Sequence, residues 1–126
     1  MTNVITIAVD AMGGDGSPKK IIDGIIHHYK KNNHTFYKIF GNQDEISKFI
    51  SNSLSKDVFE IIHTNEIIED TDTPLTAAKR GKSTSMWMAI DSVKEKKADV
   101  VISAGNTGAL FVIAKLNLKM IENIDK

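Results

Sequence analysis

Short β-branched apolar runs alternate along this chain with longer segments whose apolar residues recur every three or four positions. The first run, residues 4–9, predicts a strand, and the sequence DAMGGDGSP follows over 10–18. Pro18 suits a first helical position with Ser17 as the cap before it, and Ile21, Ile22, Ile25, Ile26 and Tyr29 then form a stripe of 3.6-residue period. A second strand over 36–40 leads to Asn42, a helix cap with Asp44 and Glu45 in the first turn, where the helix dipole favours acid. Ile46, Phe49, Ile50 and Leu54 are the expected apolar face of that helix. A third strand covers 58–62, and a polar stretch over 63–73 carries Glu66, Glu69, Asp70 and Asp72.

Pro74 opens a short helix to about Arg80, and Gly81-Lys82-Ser83-Thr84 precedes a longer one over 85–97 with Met86, Ile90 and Val93 on one face. The fourth strand, 99–103, runs into SAGNTGAL over 103–110. Asn106 or Thr107 suits the cap of the helix that opens with Leu110. Residues 114–120 alternate like a strand but continue the helical pattern, and are read as helix.

Strands in apolar runs, separated by helices, indicate a parallel sheet covered on both faces. Ligands of such sheets bind beyond the carboxyl ends of the strands. Both glycine-rich turns, after the first and the fourth strand, fall at that edge. Neither is G-x-G-x-x-G or a Walker loop, so the dinucleotide and P-loop fingerprints are not met. A helix start with free N–H groups and small residues is a seat for an anion, phosphate above all.

Composition narrows the classes. The chain has 126 residues, 41% hydrophobic and 25% charged, with sixteen basic and sixteen acidic side chains that cancel. No strong field draws it to nucleic acid or an acidic membrane. Cysteine is absent, which removes disulfides and thiol chemistry and fits a reducing compartment. No apolar run approaches the ~20 residues of a membrane span, and the early first strand leaves no room for a signal peptide. A cytoplasmic protein is expected. The four histidines have no metal-like spacing and read as surface residues; Trp87 and Met88 read as packing or partner-contact residues. Arg80 is the single arginine among fifteen lysines.

The two turns, AVDAMGGD over 8–15 with Pro18 and SAGNTGAL over 103–110, resemble the signatures of the bacterial phosphate acyltransferase family of phospholipid synthesis. Glu66, Glu69, Pro74, Arg80, Lys82 and Ser85-Met86 fall in the family's order and approximate spacing. The resemblance spans essentially the whole chain. It implies a three-layer α/β/α sandwich with a mostly parallel sheet, isocitrate dehydrogenase-like or Rossmann-like, here truncated after about four strands. Residues 1–126 would be the N-terminal part of one domain whose C-terminal half is missing.

The resemblance also implies formation of acyl phosphate from acyl-acyl-carrier-protein and inorganic phosphate, without cofactor or metal. It implies a homodimer in the cytoplasm with peripheral association to a membrane glycerol-3-phosphate acyltransferase. The family carries histidine at the position of Gly16 and arginine at that of Thr76, so any contact those side chains make is missing here.

In such a reaction phosphate is itself the nucleophile, and the protein must position it and stabilise the developing oxyanion. Asp10, Lys82 and Asn106 are the candidate catalytic residues, and Gly13, Gly14, Asp15, Arg80, Gly105, Thr107 and Gly108 the candidate binding residues. Each has a plainer alternative. Asn106 and Thr107 either bind phosphate or only cap a helix. Asp10 and Asp15 orient a lysine or the backbone, act as a base, or merely close a tight turn. Arg80 and Lys82 meet phosphate or are solvated. The competing functional reading is an inactive remnant that binds phosphate or a partner. A nicotinamide dehydrogenase is disfavoured by the missing fingerprint.

Overall fold

The structure, a computed structural model, describes residues 4–117. The four apolar runs become β1 (Ile5–Asp10), β2 (Thr35–Gly41), β3 (Phe59–His63) and β4 (Val100–Ser103). Between them lie the helices α1 (Lys19–Lys31), α2 (Gln43–Ile50), α3 (Pro74–Arg80) and α4 (Ser85–Lys94), and α5 (Thr107–Asn117) follows β4. The strands form a parallel sheet in the order β3-β2-β1-β4. The chain steps outward from β1 to β3, then returns to the opposite side of β1. Because crossovers between parallel strands are right-handed, the two directions of travel put their helices on opposite faces of the sheet.

Side-chain alternation along the strands follows that layering. Ile7, Val9, Tyr37 and Ile39 face Ile22 and Ile25 of α1 and Ile46 and Ile50 of α2. On the other face Ala8 and Phe40 meet Ala89 of α4, with Val101 packed against them. Trp87, Met86 and Ile90 of α4 join Ala77 of α3 and Ala109 and Ile113 of α5 in a further cluster, so Trp87 is a packing residue. The expected α/β/α sandwich is present. Among the described residues no helix is long and apolar enough to cross a membrane.

Local differences from the sequence reading have physical causes. Ser17 does not cap α1: its hydroxyl donates to the Gly13 carbonyl, closing the glycine turn, and Pro18 takes the cap position. Leu54 lies beyond α2, which ends where Ser51 adopts φ 47°, yet it still reaches the core. Helix α4 stops at Lys94 rather than 97, because Lys96 turns to φ 62° and the N–H groups of Lys97 and Ala98 both return to the Ser92 carbonyl. His28 is half-buried, its Nδ1 2.6 Å from the Tyr37 hydroxyl, and burial pushes the Tyr37 pKa up. His63 is exposed but employed, its Nδ1 accepting the Gln43 N–H (3.0 Å). The last three residues of the stretch 114–120 lie outside the described residues.

The two flanks of the sheet differ. Beside β3, Lys38 and Glu60 form an ion pair. On the β4 side Val100 and Ile102 are 45% and 51% exposed. A groove of about 300 Å³ separates β4 from α1, lined by Ile7, Val9, Ile21, Ile25, Tyr37 and Ile102 among others. An apolar edge strand beside an open groove is a template for pairing. The isolated chain is therefore expected to sediment as dimers or larger species, and Ile102→Lys to shift it toward monomer. A wild-type chain that stays monomeric at high concentration in analytical ultracentrifugation contradicts this.

Candidate functional site

The switch in strand order lies between β1 and β4, where open parallel sheets leave a crevice at the strand ends. Both glycine turns leave the sheet there. The β1–β4 register pairs Asp10 with Ser103, so these two side chains emerge next to each other on the α4 face. Asp10 is 2% exposed. Its Oδ1 accepts from the Ser85 hydroxyl at 2.7 Å and from the Met12 N–H at 3.1 Å, and its Oδ2 accepts from the Ser103 hydroxyl at 2.9 Å. Buried and held by three donors, this carboxylate suits the orienting role that the sequence left open beside that of a base.

The turns touch through their glycines. A Cβ added at Gly13 would lie 2.8 Å from both Cα and N of Gly105. One added at Gly14, whose φ is +90°, would lie 2.7 Å from the Ala104 carbonyl oxygen. Gly105 donates its N–H to the Ser103 hydroxyl at 3.2 Å. That N–H is thereby engaged within the protein rather than open to a ligand.

Helix α5 starts directly beyond. Asn106 caps it, its Oδ1 accepting the Ala109 N–H at 3.1 Å. Its Nδ2 lies within reach of the carbonyls of Glu69, Asp70 and Asp72 at 3.2, 3.4 and 2.7 Å, clasping the loop before α3. The side chain of Asn106 is thus committed to structure. The N–H groups of Thr107 and Gly108 are the unpaired donors of a helix start, with no acceptor among the described residues. Gly108 leaves room for Pro74, whose Cγ would be 3.0 Å from an added Cβ.

Asn106→Ala is expected to lower stability by about 2 kcal/mol, the loss of a cap plus its clasp. Asn106→Asp keeps the cap and should lose roughly half of that. Urea midpoints of the two variants separate the contributions: equal losses would show that only the clasp matters, and no loss in Asn106→Asp that only the cap does.

The excursion over 63–85 brings the remaining candidates. Thr64 donates its hydroxyl to the Ser83 carbonyl, and Ser85 donates its N–H to the Glu66 carbonyl at 3.0 Å, which seats the start of α4. Thr84 caps α4 and Thr73 caps α3. Arg80 is engaged by Asp72 through Nε and, at 2.8 Å, through Nη2. The Asp72 carbonyl accepts from Asn106, so Arg80 connects to the α5 start through Asp72. Lys82 and Asp15 are both exposed, and among the described residues neither has a hydrogen-bonded partner.

The guanidinium of Arg80 holds Asp72 below the ordinary carboxylate range, and Asp72 in turn pushes Arg80 up. A depressed folded-state pKa stabilises at pH values above the unfolded one and is lost as pH falls through the folded one. The pair is therefore expected to persist through neutral pH and fail only in strong acid. Urea midpoints of wild type and Asp72→Asn should differ at neutral pH and converge in acid; divergence on acidification contradicts the assignment.

The structure thus brings together Asp10, Gly13, Gly14, Gly105, Asn106, Thr107 and Gly108, and leaves Lys82 and Asp15 at the surface. Ser85 and Ser103, which hold Asp10, are not among the candidate site residues, although Ser103 opens the SAGNTGAL turn and Ser85 stands in the stretches that carry the family resemblance. Strand register pointed to Ser103, whereas the bond from Ser85 depends on how α4 packs on the sheet.

A family model described as "Fatty acid synthesis protein" matches residues 5–126, nearly the entire sequence and both turns. The chain belongs to this family. Its relatives include the phosphate acyltransferase of Pelagibacter ubique, 69% identical over 126 residues that make up all of this chain and 38% of the relative. The phosphate acyltransferase of Parvibaculum lavamentivorans is 40% identical over 128 residues, covering 100% of this chain and 36% of its own length. That of Streptococcus pyogenes is 40% identical over 120 residues, 95% of this chain and 35% of the relative. The chain therefore spans little more than a third of the length of the family relatives it matches.

Proposed function

We propose that this chain is the N-terminal part of a phosphate acyltransferase domain that makes acyl phosphate from acyl-acyl-carrier-protein and inorganic phosphate in phospholipid synthesis. The observation that carries the reading is the contact of the two glycine turns at the strand-order switch, beside the N–H groups of Thr107 and Gly108, which are unpaired among the described residues. Those donors and the positive end of α5 receive the phosphate. Gly13, Gly14 and Gly105 let the two turns close against each other beside that seat. A phosphate oxygen attacks the thioester carbonyl carbon, the C–S bond breaks, and the carrier thiol leaves with the proton that phosphate loses.

Asp10 orients the two turns in this scheme, and Asn106 holds the helix start. Lys82, exposed on its turn, supplies positive charge, as does Arg80 when phosphate competes with Asp72; Asp15 flanks the seat. The assembly is a cytoplasmic homodimer in peripheral contact with a membrane glycerol-3-phosphate acyltransferase, and the rest of the family fold completes the pocket.

The test is reconstitution. The chain mixed with the complementary C-terminal segment should consume acyl-carrier-protein thioester only when phosphate is present. A folded, associated pair that leaves the thioester intact would overturn the catalytic reading. A phosphate-binding remnant is the second reading, favoured by the commitment of Asn106 and Arg80 to internal bonds. It predicts phosphate binding by the reconstituted pair without thioester loss.

A further inference from the structure

We infer that Ser85 and Ser103 are positioning residues of the phosphate seat, acting through the Asp10 carboxylate to set the direction of the Ala104–Gly105 peptide. This rests on the reading of the α5 start given above.

The geometry is a relay with one bond per step. Ser85, 1% exposed at the first turn of α4, donates to Asp10 Oδ1 at 2.7 Å. Asp10 Oδ2 accepts from Ser103 at 2.9 Å. A serine hydroxyl has a single proton and two lone pairs, so once Ser103 donates to Asp10, its oxygen can only accept from Gly105, whose N–H lies 3.2 Å away. The Ala104–Gly105 peptide is thereby held at both ends. Its N–H turns inward to Ser103, and its oxygen packs on Gly14, in space that any Cβ there would occupy. The next residues of the chain are Asn106, Thr107 and Gly108, so the peptide direction sets where their N–H groups point.

Ser85 matters although it is twenty residues or more from the α5 start in sequence. Without its bond, Oδ1 is held only by the Met12 N–H. The carboxylate can then rotate, and Ser103 loses its fixed acceptor. The hydroxyl that meets Gly105 loses its direction in turn. Linked hydrogen bonds of this kind respond as a unit rather than as a sum.

The experiment uses the 126-residue chain associated with the complementary C-terminal segment. Amide exchange at Gly105 is measured by NMR, and inorganic phosphate is titrated while the Thr107 and Gly108 amides are followed. In Ser103→Ala, exchange at Gly105 should quicken roughly tenfold and phosphate should bind roughly tenfold more weakly. Ser103→Thr keeps the hydroxyl and should restore both. Ser85→Ala, whose hydroxyl bonds Asp10 rather than Gly105 or α5, should move both in the same direction. The double alanine variant should be no weaker than Ser103→Ala alone.

A change at Gly105 in Ser103→Ala with none in Ser85→Ala overturns the relay, as do strictly additive effects. Faster exchange with unchanged phosphate affinity overturns the positioning role. Failure of Ser85→Ala to fold leaves the Ser103 pair to decide, since a purely structural serine would not give matched loss and rescue of phosphate affinity. If wild type shows no phosphate response at Thr107 or Gly108, the functional reading and the seat fall together, and the exchange rates alone judge the relay.

Discussion

Gly13→Ala is expected to destabilise the chain by about 3 kcal/mol, at the upper end of the overpacking range. The added methyl would sit 2.8 Å from Cα and N of Gly105 and 2.9 Å from Asp10 Oδ2. No flexible side chain is there to move aside. Two of the three atoms are backbone at the end of β4, and the third is held by Ser103. Relief requires parting the ends of β1 and β4, which breaks their ladder where Asp10 pairs with Ser103.

Gly24→Ala is the control. It lies in the middle of α1 with nothing within 4 Å of an added Cβ, so it should stabilise by up to about 1 kcal/mol. Urea midpoints at unchanged slope measure both. If Gly13→Ala is as harmless as Gly24→Ala, the turns are not in contact in solution.

Asp10→Ala should be at least as damaging, with a loss of about 4 kcal/mol. The hydroxyls of Ser85 and Ser103 and the N–H of Met12 would each lose their acceptor, the first in a buried setting and the other two half-buried, and an abandoned buried donor costs about 1–3 kcal/mol. Water admitted to the space lessens the sum. Asp10→Asn keeps one acceptor oxygen and the volume, and should lose roughly half as much. Against a total stability of about 5–15 kcal/mol, the alanine variant sits near the limit of folding. A midpoint shift corresponding to less than about 1 kcal/mol in Asp10→Ala would show that the carboxylate is not the hub described.

Much of the architecture was legible from short-range pattern. The runs at 4–9, 36–40, 58–62 and 99–103 each became a strand within a residue or two of those limits. A β-branched run between turn residues favours an extended backbone wherever it lies. Asn42 and Asn106 cap helices as expected, because a cap needs only a side chain and an N–H three residues on. Ser17 misled for the same reason: the cap rule was met in sequence, but a carbonyl four residues back, Gly13, made the better partner once the turn closed.

The site was legible as two turns and illegible as a set of bonds. Asp10 was a candidate on its position after β1, but its partners Ser85 and Ser103 stand 75 and 93 residues away. Arg80 read as a cation open to phosphate, yet Asp72, eight residues earlier and across the turn that opens α3, holds it in a two-point pair. Asn106 read as cap or ligand; its second set of bonds, to carbonyls 34 to 37 residues earlier, exists only because α3 packs beside α5.

The sequence by itself thus determined the strands, the helices, the parallel character of the sheet and the edge at which SAGNTGAL would lie. These depend on local propensity and on hydrophobic period, which neighbours in the chain control. Tertiary structure decided that this turn would meet the first one glycine to glycine, that a buried aspartate would tie both to α4, and that the N–H groups of Thr107 and Gly108 would be left unpaired among the described residues. Hydrogen bonds of that reach depend on strand order, and strand order follows from how the helices cover the two faces of the sheet.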